Sequence, residues 1–147
     1  MDIVFDKIGN TRQIDKRMKV FFSDYYIGGQ YFHYYKDNIY HLVIDNKVVG
    51  IVQLEFKEHF VGGKSLKSDT TWIYCLEILQ PFRNKGYGKI LLNEIQKFCL
   101  KNGQKRLVLE VNNPIALKLY KNYGFEVIDE YINSDKEKEC KMEMLIS

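Results

Sequence analysis

The chain has 147 residues, of which 46% are hydrophobic and 28% charged, with a formal net charge of +3. This composition predicts one globular domain over 1–147, and so weak a positive charge does not predict a nucleic-acid partner. Three cysteines without a C-x-x-C pair argue against a disulfide framework or a structural zinc site. The longest apolar run, five residues over 72–76, is far too short to span a membrane, and together with an acidic N-terminus it predicts a cytoplasmic protein without a membrane partner.

The first half of the chain is predicted to form one helix and three strands. Apolar residues at helical spacing indicate the helix, and alternating or β-branched runs indicate the strands. The predicted elements are a helix over 14–27, strands over 39–45 and 48–57 joined by a tight turn at Asn46-Lys47, a loop over 62–69 and a strand over 70–79.

The second half alternates strands and helices. Its predicted elements are a helix over 86–102, a strand over 105–111, a helix from Asn113-Pro114 to Gly124 with a buried stripe of Ala116, Leu119, Tyr120 and Tyr123, and strands over 125–132 and 139–146. A strand–helix–strand unit predicts a parallel pair, whereas the hairpins predict antiparallel pairs. The expected fold class is therefore α/β (α+β), with a mixed, mostly antiparallel central sheet.

The stretch Arg83-Asn84-Lys85-Gly86-Tyr87-Gly88 lies between a strand and a helix. Such a junction presents unpaired backbone N–H groups, and the helix dipole adds about half a positive charge. Glycines let an anion approach the backbone, and Arg83, Lys85 and Lys89 add positive charge. The pattern predicts a phosphate or pyrophosphate site, with a ligand-free turn as the alternative.

Two common phosphate motifs are excluded by spacing. The dinucleotide pattern G-x-G-x-x-G requires glycine at position 91, which is Leu91. The nucleoside-triphosphate pattern requires glycine at 83 and a hydroxyl residue at 90, which are Arg83 and Ile90.

Two blocks of the sequence resemble the GNAT superfamily of acyl-CoA-dependent N-acyltransferases. The first, LEILQPFRNKGYGKILL over 76–92, contains the family's [RQ]-x-x-G-x-[GA] loop between its strand and its helix. The second is LEV over 109–111 followed by NPIALKLYKNYGF over 113–125, which matches Asn-x-x-Ala-x-x-Leu-Tyr-x-x-x-Gly-Phe. The resemblance implies a splayed parallel strand pair, helices on both faces of the sheet, and acetyl-CoA as co-substrate without a metal.

The resemblance also implies which residues contact the coenzyme. The loop amides over 84–88 would hold its pyrophosphate, the strand end near Leu76 to Gln80 would pair with pantetheine, and a backbone N–H of Leu76 or Ile78 would polarise the thioester. Asn113 would contact the pantetheine arm, with a helix cap as its alternative role. The coenzyme-binding residues predicted in this way are Leu76, Ile78, Leu79, Gln80, Arg83, Asn84, Lys85, Gly86, Tyr87, Gly88, Lys89 and Asn113.

Three residues are candidates for proton transfer. Tyr120 matches the family tyrosine near the coenzyme sulfur, where a phenol can protonate the leaving thiolate, and a core aromatic is its alternative role. Glu110 is the first candidate for the base that deprotonates the amine, because partial desolvation at a strand end would raise its basicity. Glu77 is the second candidate, and a solvated strand-end carboxylate is the alternative for both.

The acceptor is not named by the sequence. Nine aromatic residues over 21–40 form either a wall of the acceptor pocket or ordinary core packing. We expect acetyl transfer to a primary amine, which a small molecule, a lysine or a peptide N-terminus could supply, and a homodimer is left open. The alternatives are a catalytically silent acyl-CoA sensor and, less consistent with the charge, a basic–aromatic nucleic-acid module.

Overall fold

The computed structural model describes residues 1–7, 39–61 and 64–147. The chain divides into two compact units, Met1–Leu54 with Cys75–Ile95, and Glu55–Tyr74 with Gln96–Ser147. Hydrogen bonds order the seven strands of the described residues as β1-β2-β3-β4-β5-β7-β6. The elements are β1 (Ile3–Lys7), β2 (Ile39–Ile44), β3 (Lys47–Val61), β4 (Lys64–Ile78), a 3₁₀ turn (Gln80–Phe82), α1 (Tyr87–Lys101), β5 (Arg106–Val111), α2 (Pro114–Tyr123), β6 (Glu126–Ile132) and β7 (Lys138–Leu145).

In the first unit, β1, β2 and the start of β3 form an antiparallel ladder. The turn between β2 and β3 is made by Asp45 and Asn46, whose φ angles of 49° and 65° are both positive. This is the geometry of a type I′ turn, which matches the twist of the two strands. The tight turn predicted at Asn46-Lys47 therefore exists, but it lies one residue earlier.

Gly50 brings the end of β4 against β3 in the same unit. A Cβ atom at Gly50 would lie 3.1 Å from the Glu77 carbonyl oxygen and 3.0 Å from the Ile78 side chain. The amide of Leu79 donates to the Val49 carbonyl at 2.8 Å, so the chain stays attached to β3 as it leaves β4. The absence of a side chain at Gly50 lets the two backbones approach this closely.

In the second unit, β4 and β5 are parallel, and β5, β7 and β6 are antiparallel. Among the described residues, the parallel pairing is confined to residues 70–72 of β4 and 106–108 of β5, although both strands continue beyond it. A pair that ends this early is what the expected splayed arrangement requires. Both faces of β5 are buried in this unit, as the buried side chains of Leu107, Val108 and Leu109 show, and Met142 of β7 is fully buried beside them.

The two helices bury different amounts of their predicted stripes. In α1, Leu91, Leu92, Ile95 and Cys99 are fully buried, as the spacing predicts. In α2, Tyr120 is the buried residue, whereas Leu119 is 38% exposed. The stripe predicted for α2 is therefore wrong for Leu119. No helix of the described residues is long and apolar enough to cross a membrane.

Three further predictions differ from the structure or lie outside it. Lys64–Asp69, predicted as a loop, belongs to β4, because strand pairing outweighs the polar composition of this stretch. The short strand β1 was not predicted from its sequence, and it is defined by its pairing with β2. The helix predicted over 14–27 lies outside the described residues, as do eight of the nine aromatic residues over 21–40; the ninth, Tyr40, is buried and stacks on Phe5.

Candidate functional site

The predicted phosphate loop is a tight connection between the 3₁₀ turn and α1. Asn84 and Gly86 have positive φ angles of 61° and 82°, and helix α1 begins at Tyr87. The rings of Phe82 and Tyr87 pack edge to face, with centroids 6.1 Å apart, and so join the two sides of the loop. The first N–H groups of α1 have no acceptor within the helix, because each would need a carbonyl four residues earlier, before the helix begins.

The charge around this loop is mainly that of two lysines. Lys85 and Lys89 are exposed, and the first turn of α1 contains no acidic residue. A Cβ atom at Gly86 would meet nothing within 4 Å, so the space beside the loop backbone is open. Positive charge, helix N–H groups and an open backbone together satisfy the requirements of a phosphate site.

Arg83 turns back onto the strand that precedes the loop. Its Nε donates to the Ile78 carbonyl oxygen at 2.8 Å, and an Nη atom donates to Glu77 Oε2 at 3.0 Å. Burial raises the pKa of Glu77, and the Arg83 cation and its hydrogen bond oppose that rise. Glu77, a candidate for the base, and Arg83, a residue predicted to bind the coenzyme, thus form one ion pair.

The backbone at the end of β4 has an alternating direction. The Leu79 amide and the Glu77 carbonyl both face β3, as shown by the bond to Val49 and the approach to Gly50. Because main-chain groups alternate along a strand, those of Leu76 and Ile78 face away from β3. These are the two residues whose N–H groups were predicted to polarise a thioester. The carbonyls of Leu79 and Gln80 accept hydrogen bonds from the amides of Phe82 and Arg83 within the turn.

Asn113 is the N-cap of α2. Its side-chain oxygen accepts hydrogen bonds from the amides of Ile115, at 2.8 Å, and Ala116, at 3.4 Å. Asn113 thus has the helix-capping role that was its alternative, and the cap uses only the oxygen of its side-chain amide. The NH₂ group of the same exposed side chain is the part that a ligand carbonyl could use.

Tyr120 is buried, and its ring packs edge to face on Phe125 with centroids 5.6 Å apart. The Tyr120 carbonyl accepts the amides of Gly124 and Phe125, which closes the end of α2. Gly124 has a φ of 128°, a conformation that favours glycine. Tyr120 is therefore held both by its backbone and by its ring.

Glu110 is exposed on β5, so the partial desolvation expected for it is not present. Its Oε2 atom accepts a hydrogen bond from the hydroxyl of Tyr131 at 2.5 Å. Tyr131 was not among the residues predicted from the sequence. The sequence signal for it is weak, because it is one aromatic residue among the acidic and aliphatic residues of β6.

The surroundings of Glu110 are charged. Lys141 stands opposite Glu110 in the β5–β7 ladder, and its ammonium lies 4.9 Å from the centre of the Trp72 ring. Among the described residues, no group of three or more His, Cys, Asp and Glu side chains is placed to hold a metal ion. The carboxylate of Glu110, the phenol of Tyr131 and the ammonium of Lys141 are groups that can take part in proton transfer and ion pairing.

Comparison with known proteins identifies the family. The family model described as "Acetyltransferase (GNAT) family" matches residues 9–125, most of the chain. The chain therefore belongs to the GNAT acetyltransferase family, as the two sequence blocks predicted.

Individual relatives are more distant. A probable N-acetyltransferase, san, of Drosophila melanogaster is 29% identical over 83 residues, which are 50% of this chain and 45% of that protein. The chain spans less than half the length of the curated relatives it matches.

Solved structures share the fold. The ribosomal-protein-S18-alanine N-acetyltransferase from Escherichia coli superposes with a TM-score of 0.74 at 18% identity, over 99% of this chain and 95% of that chain. The NatC complex bound to a Gag peptide and CoA gives 0.75 at 18% identity, over 100% of both chains. The mixed sheet with its short parallel pair is therefore the GNAT fold.

Proposed function

We propose that this protein transfers an acetyl group from acetyl-CoA to a primary amine by direct attack of the amine on the thioester. The observation that carries the proposal is the loop before α1: Asn84 and Gly86 have positive φ angles, a Cβ atom at Gly86 would meet nothing within 4 Å, and two lysines of the loop and first helical turn are exposed. The GNAT family model over residues 9–125 supports the assignment of this loop to the coenzyme.

Within this proposal, the loop amides over 84–88 hold the coenzyme pyrophosphate, with charge supplied by Lys85 and Lys89. Arg83 is already paired with Glu77 and bonded to Ile78, so its contribution is to hold the loop against the strand. The N–H groups of Leu76 and Ile78, which face away from β3, are the donors proposed for the thioester carbonyl and the pantetheine arm. The Asn113 NH₂ group is a further proposed contact with that arm.

Acetyl-CoA supplies an activated acyl group, and the protein residues move the protons. Glu110 takes a proton from the acceptor ammonium, directly or through a water, so that the nitrogen lone pair can form the new C–N bond. The nitrogen then loses a second proton to solvent as the amide forms. As the C–S bond breaks, the Tyr120 hydroxyl donates its proton to the departing thiolate, and solvent returns one. The products are an N-acetyl amine and the free thiol of coenzyme A.

Glu110 is a better candidate for the base than Glu77. Burial raises the pKa of Glu77, but its Oε2 atom is occupied by the Arg83 guanidinium, which opposes that rise. Glu110 is exposed and has one oxygen without a contact to Tyr131, so it can meet an incoming amine or water. Glu77 is therefore proposed as the partner of Arg83.

The α-amino group of a peptide is the first acceptor to test. The E. coli neighbour is named for an alanine of a ribosomal protein, and the NatC neighbour was solved with a peptide. Small amines and lysine side chains remain in the panel, because the chain's own residues do not select among them.

The experiment is acetyl-CoA turnover measured by release of free thiol, with peptides of different N-termini, free lysine and small amines as acceptors. Binding of acetyl-CoA without an acceptor is measured in parallel by calorimetry. Transfer to any amine supports the proposal. Binding without transfer supports the silent-sensor alternative, and no binding overturns the coenzyme site.

A further inference from the structure

Tyr131 and Glu110 meet across an intervening strand. Glu110 lies on β5 and Tyr131 on β6, with β7 hydrogen-bonded to both. Glu110 stands opposite Lys141, and Tyr131 stands opposite Glu139, two residues before Lys141 on β7. Residues two apart share a face of a strand, so the phenol and the carboxylate project from the same face of the ladder.

This contact restrains a side chain that otherwise has little to hold it. Glu110 is exposed, and a free glutamate samples several rotamers, which costs conformational entropy when one must be selected. The Tyr131 ring has few rotamers and stands on a strand paired to β7 along most of its length. The Tyr131 hydroxyl, 2.5 Å from Glu110 Oε2, therefore restrains the carboxylate from a ring whose own position is fixed by its strand.

We propose that Tyr131 is a positioning residue for the general base: its hydroxyl holds Oε2 of Glu110 so that Oε1 faces the acceptor. This inference rests on the proposed function, since it assigns the base role to Glu110. The proton from the acceptor nitrogen moves to Oε1, and the nitrogen lone pair forms the C–N bond. Tyr131 keeps its own proton throughout this step.

The acid–base properties of the phenol agree with this role. The pKa of Tyr131 is raised to about 12, first by the hydrogen bond to Glu110, then by desolvation, and then by the negative charges of Glu110, Glu139 and Asp129. The phenol is therefore a hydrogen-bond donor over the whole range in which an enzyme works. The cation facing Glu110 is Lys141, which lies over the Trp72 ring.

The test is the pH dependence of kcat/KM for Tyr131→Phe, which removes one hydroxyl and keeps the ring. Loss of a hydrogen-bond donor to a carboxylate favours the protonated form, so the acidic limb of the profile should move to higher pH. We expect kcat to fall about tenfold, less than the roughly 10²–10⁴ lost with the base itself. The KM for acetyl-CoA should not change.

The matched control is Tyr123→Phe, which removes a phenolic hydroxyl bonded to Gln96 in the same unit. It should leave the acidic limb where it is in the unmodified protein. A further variant, Glu139→Gln, removes a neighbouring negative charge while keeping the Tyr131 hydroxyl. Because the loss of a nearby negative charge favours an ionised carboxylate, Glu139→Gln should move the limb in the opposite direction, to lower pH. A limb that stays in place or moves to lower pH in Tyr131→Phe would overturn the positioning role.

A double-mutant cycle shows whether Tyr131 acts through Glu110. Tyr131→Phe should lower kcat in the unmodified protein but have little effect in a Glu110→Gln background. Equal losses in both backgrounds, or full activity of Glu110→Gln, would overturn the inference while leaving acetyl transfer intact. Absence of transfer by the unmodified protein would instead overturn the proposed function itself.

Discussion

At the scale of single residues, two carboxylates predicted as bases have different partners. Glu77 accepts from Arg83, whereas Glu110 accepts from the neutral phenol of Tyr131. The Arg83 cation opposes the rise in the pKa of Glu77 that burial causes, whereas the Tyr131 phenol is a neutral partner of Glu110. The sequence indicated both glutamates as candidates. It did not show which residue contacts each of them, because neither partner is adjacent to its glutamate in the chain.

For Tyr120, we predict that Tyr120→Phe lowers kcat by about 10²–10³, since a positioned acid is lost while the ring remains. The ring packs on Phe125 and should still do so in the variant. The affinity for acetyl-CoA, measured by calorimetry, should therefore be unchanged. Tyr123→Phe is the control of the same chemistry, and equal turnover of Tyr120→Phe and the unmodified protein would leave Tyr120 a core residue.

At the scale of elements, the two helix N-termini of the described residues use different devices. Helix α2 begins with a side-chain cap at Asn113, whereas α1 begins after a left-handed glycine at position 86. Both helix starts could be predicted from the sequence, because caps and glycine turns depend on residues that are adjacent in the chain. The extent of β4 was not predicted, because the polar composition of its first residues is typical of a loop.

Asn113 can be divided into its two roles by substitution. Asn113→Ala should lower the free energy of unfolding by about 1 kcal/mol, because two amides of α2 lose their acceptor. Asn113→Asp keeps an acceptor at the cap and should retain stability in urea unfolding. It lacks the NH₂ group, so its KM for acetyl-CoA should rise as much as that of Asn113→Ala. An unchanged KM in both variants would leave Asn113 with the cap alone.

Two glycines flanking α1 provide a matched pair for the loop. Gly86 and Gly103 have φ angles of 82° and 78°, and a Cβ would meet nothing within 4 Å at either. Alanine at either position should therefore cost a similar amount of stability, about 1 kcal/mol, through backbone strain alone. Only Gly86→Ala should weaken acetyl-CoA binding in calorimetry. Equal affinity of the two variants would contradict the loop as the coenzyme site.

At the scale of the whole molecule, stability should depend on the Arg83–Glu77 pair through pH. The pKa of Glu77 is raised above its ordinary value of 4.5 mainly by burial. A carboxyl with a raised folded-state pKa contributes stability at low pH that is lost as pH rises through that pKa. Arg83 limits this loss, since its cation and hydrogen bond favour the ionised form.

We therefore predict that Arg83→Gln lowers the free energy of unfolding more at pH 7 than at pH 4, by about 1 kcal/mol at pH 7. Urea unfolding at several pH values measures this difference. The double variant Arg83→Gln with Glu77→Gln should remove the added pH dependence, because the carboxylate of Glu77 is no longer present. A pH-independent loss in the single variant would show that the pair is not electrostatically coupled.

The sequence by itself determined the family, the glycine-bearing turn before α1, the cap at Asn113 and the ends of both helices. These features depend on residues close together in the chain, where glycine, proline and capping side chains act directly on the local backbone.

The tertiary structure decided the contacts that join distant residues. It paired β1 with β2, lengthened β4, turned Arg83 onto Glu77, and inserted β7 between β5 and β6 so that Tyr131 reaches Glu110. Such contacts depend on strand order and register, and a shift of one residue in pairing reverses the face of every side chain. No local pattern carries that information, and for this reason the partner of the proposed base came only from the folded chain.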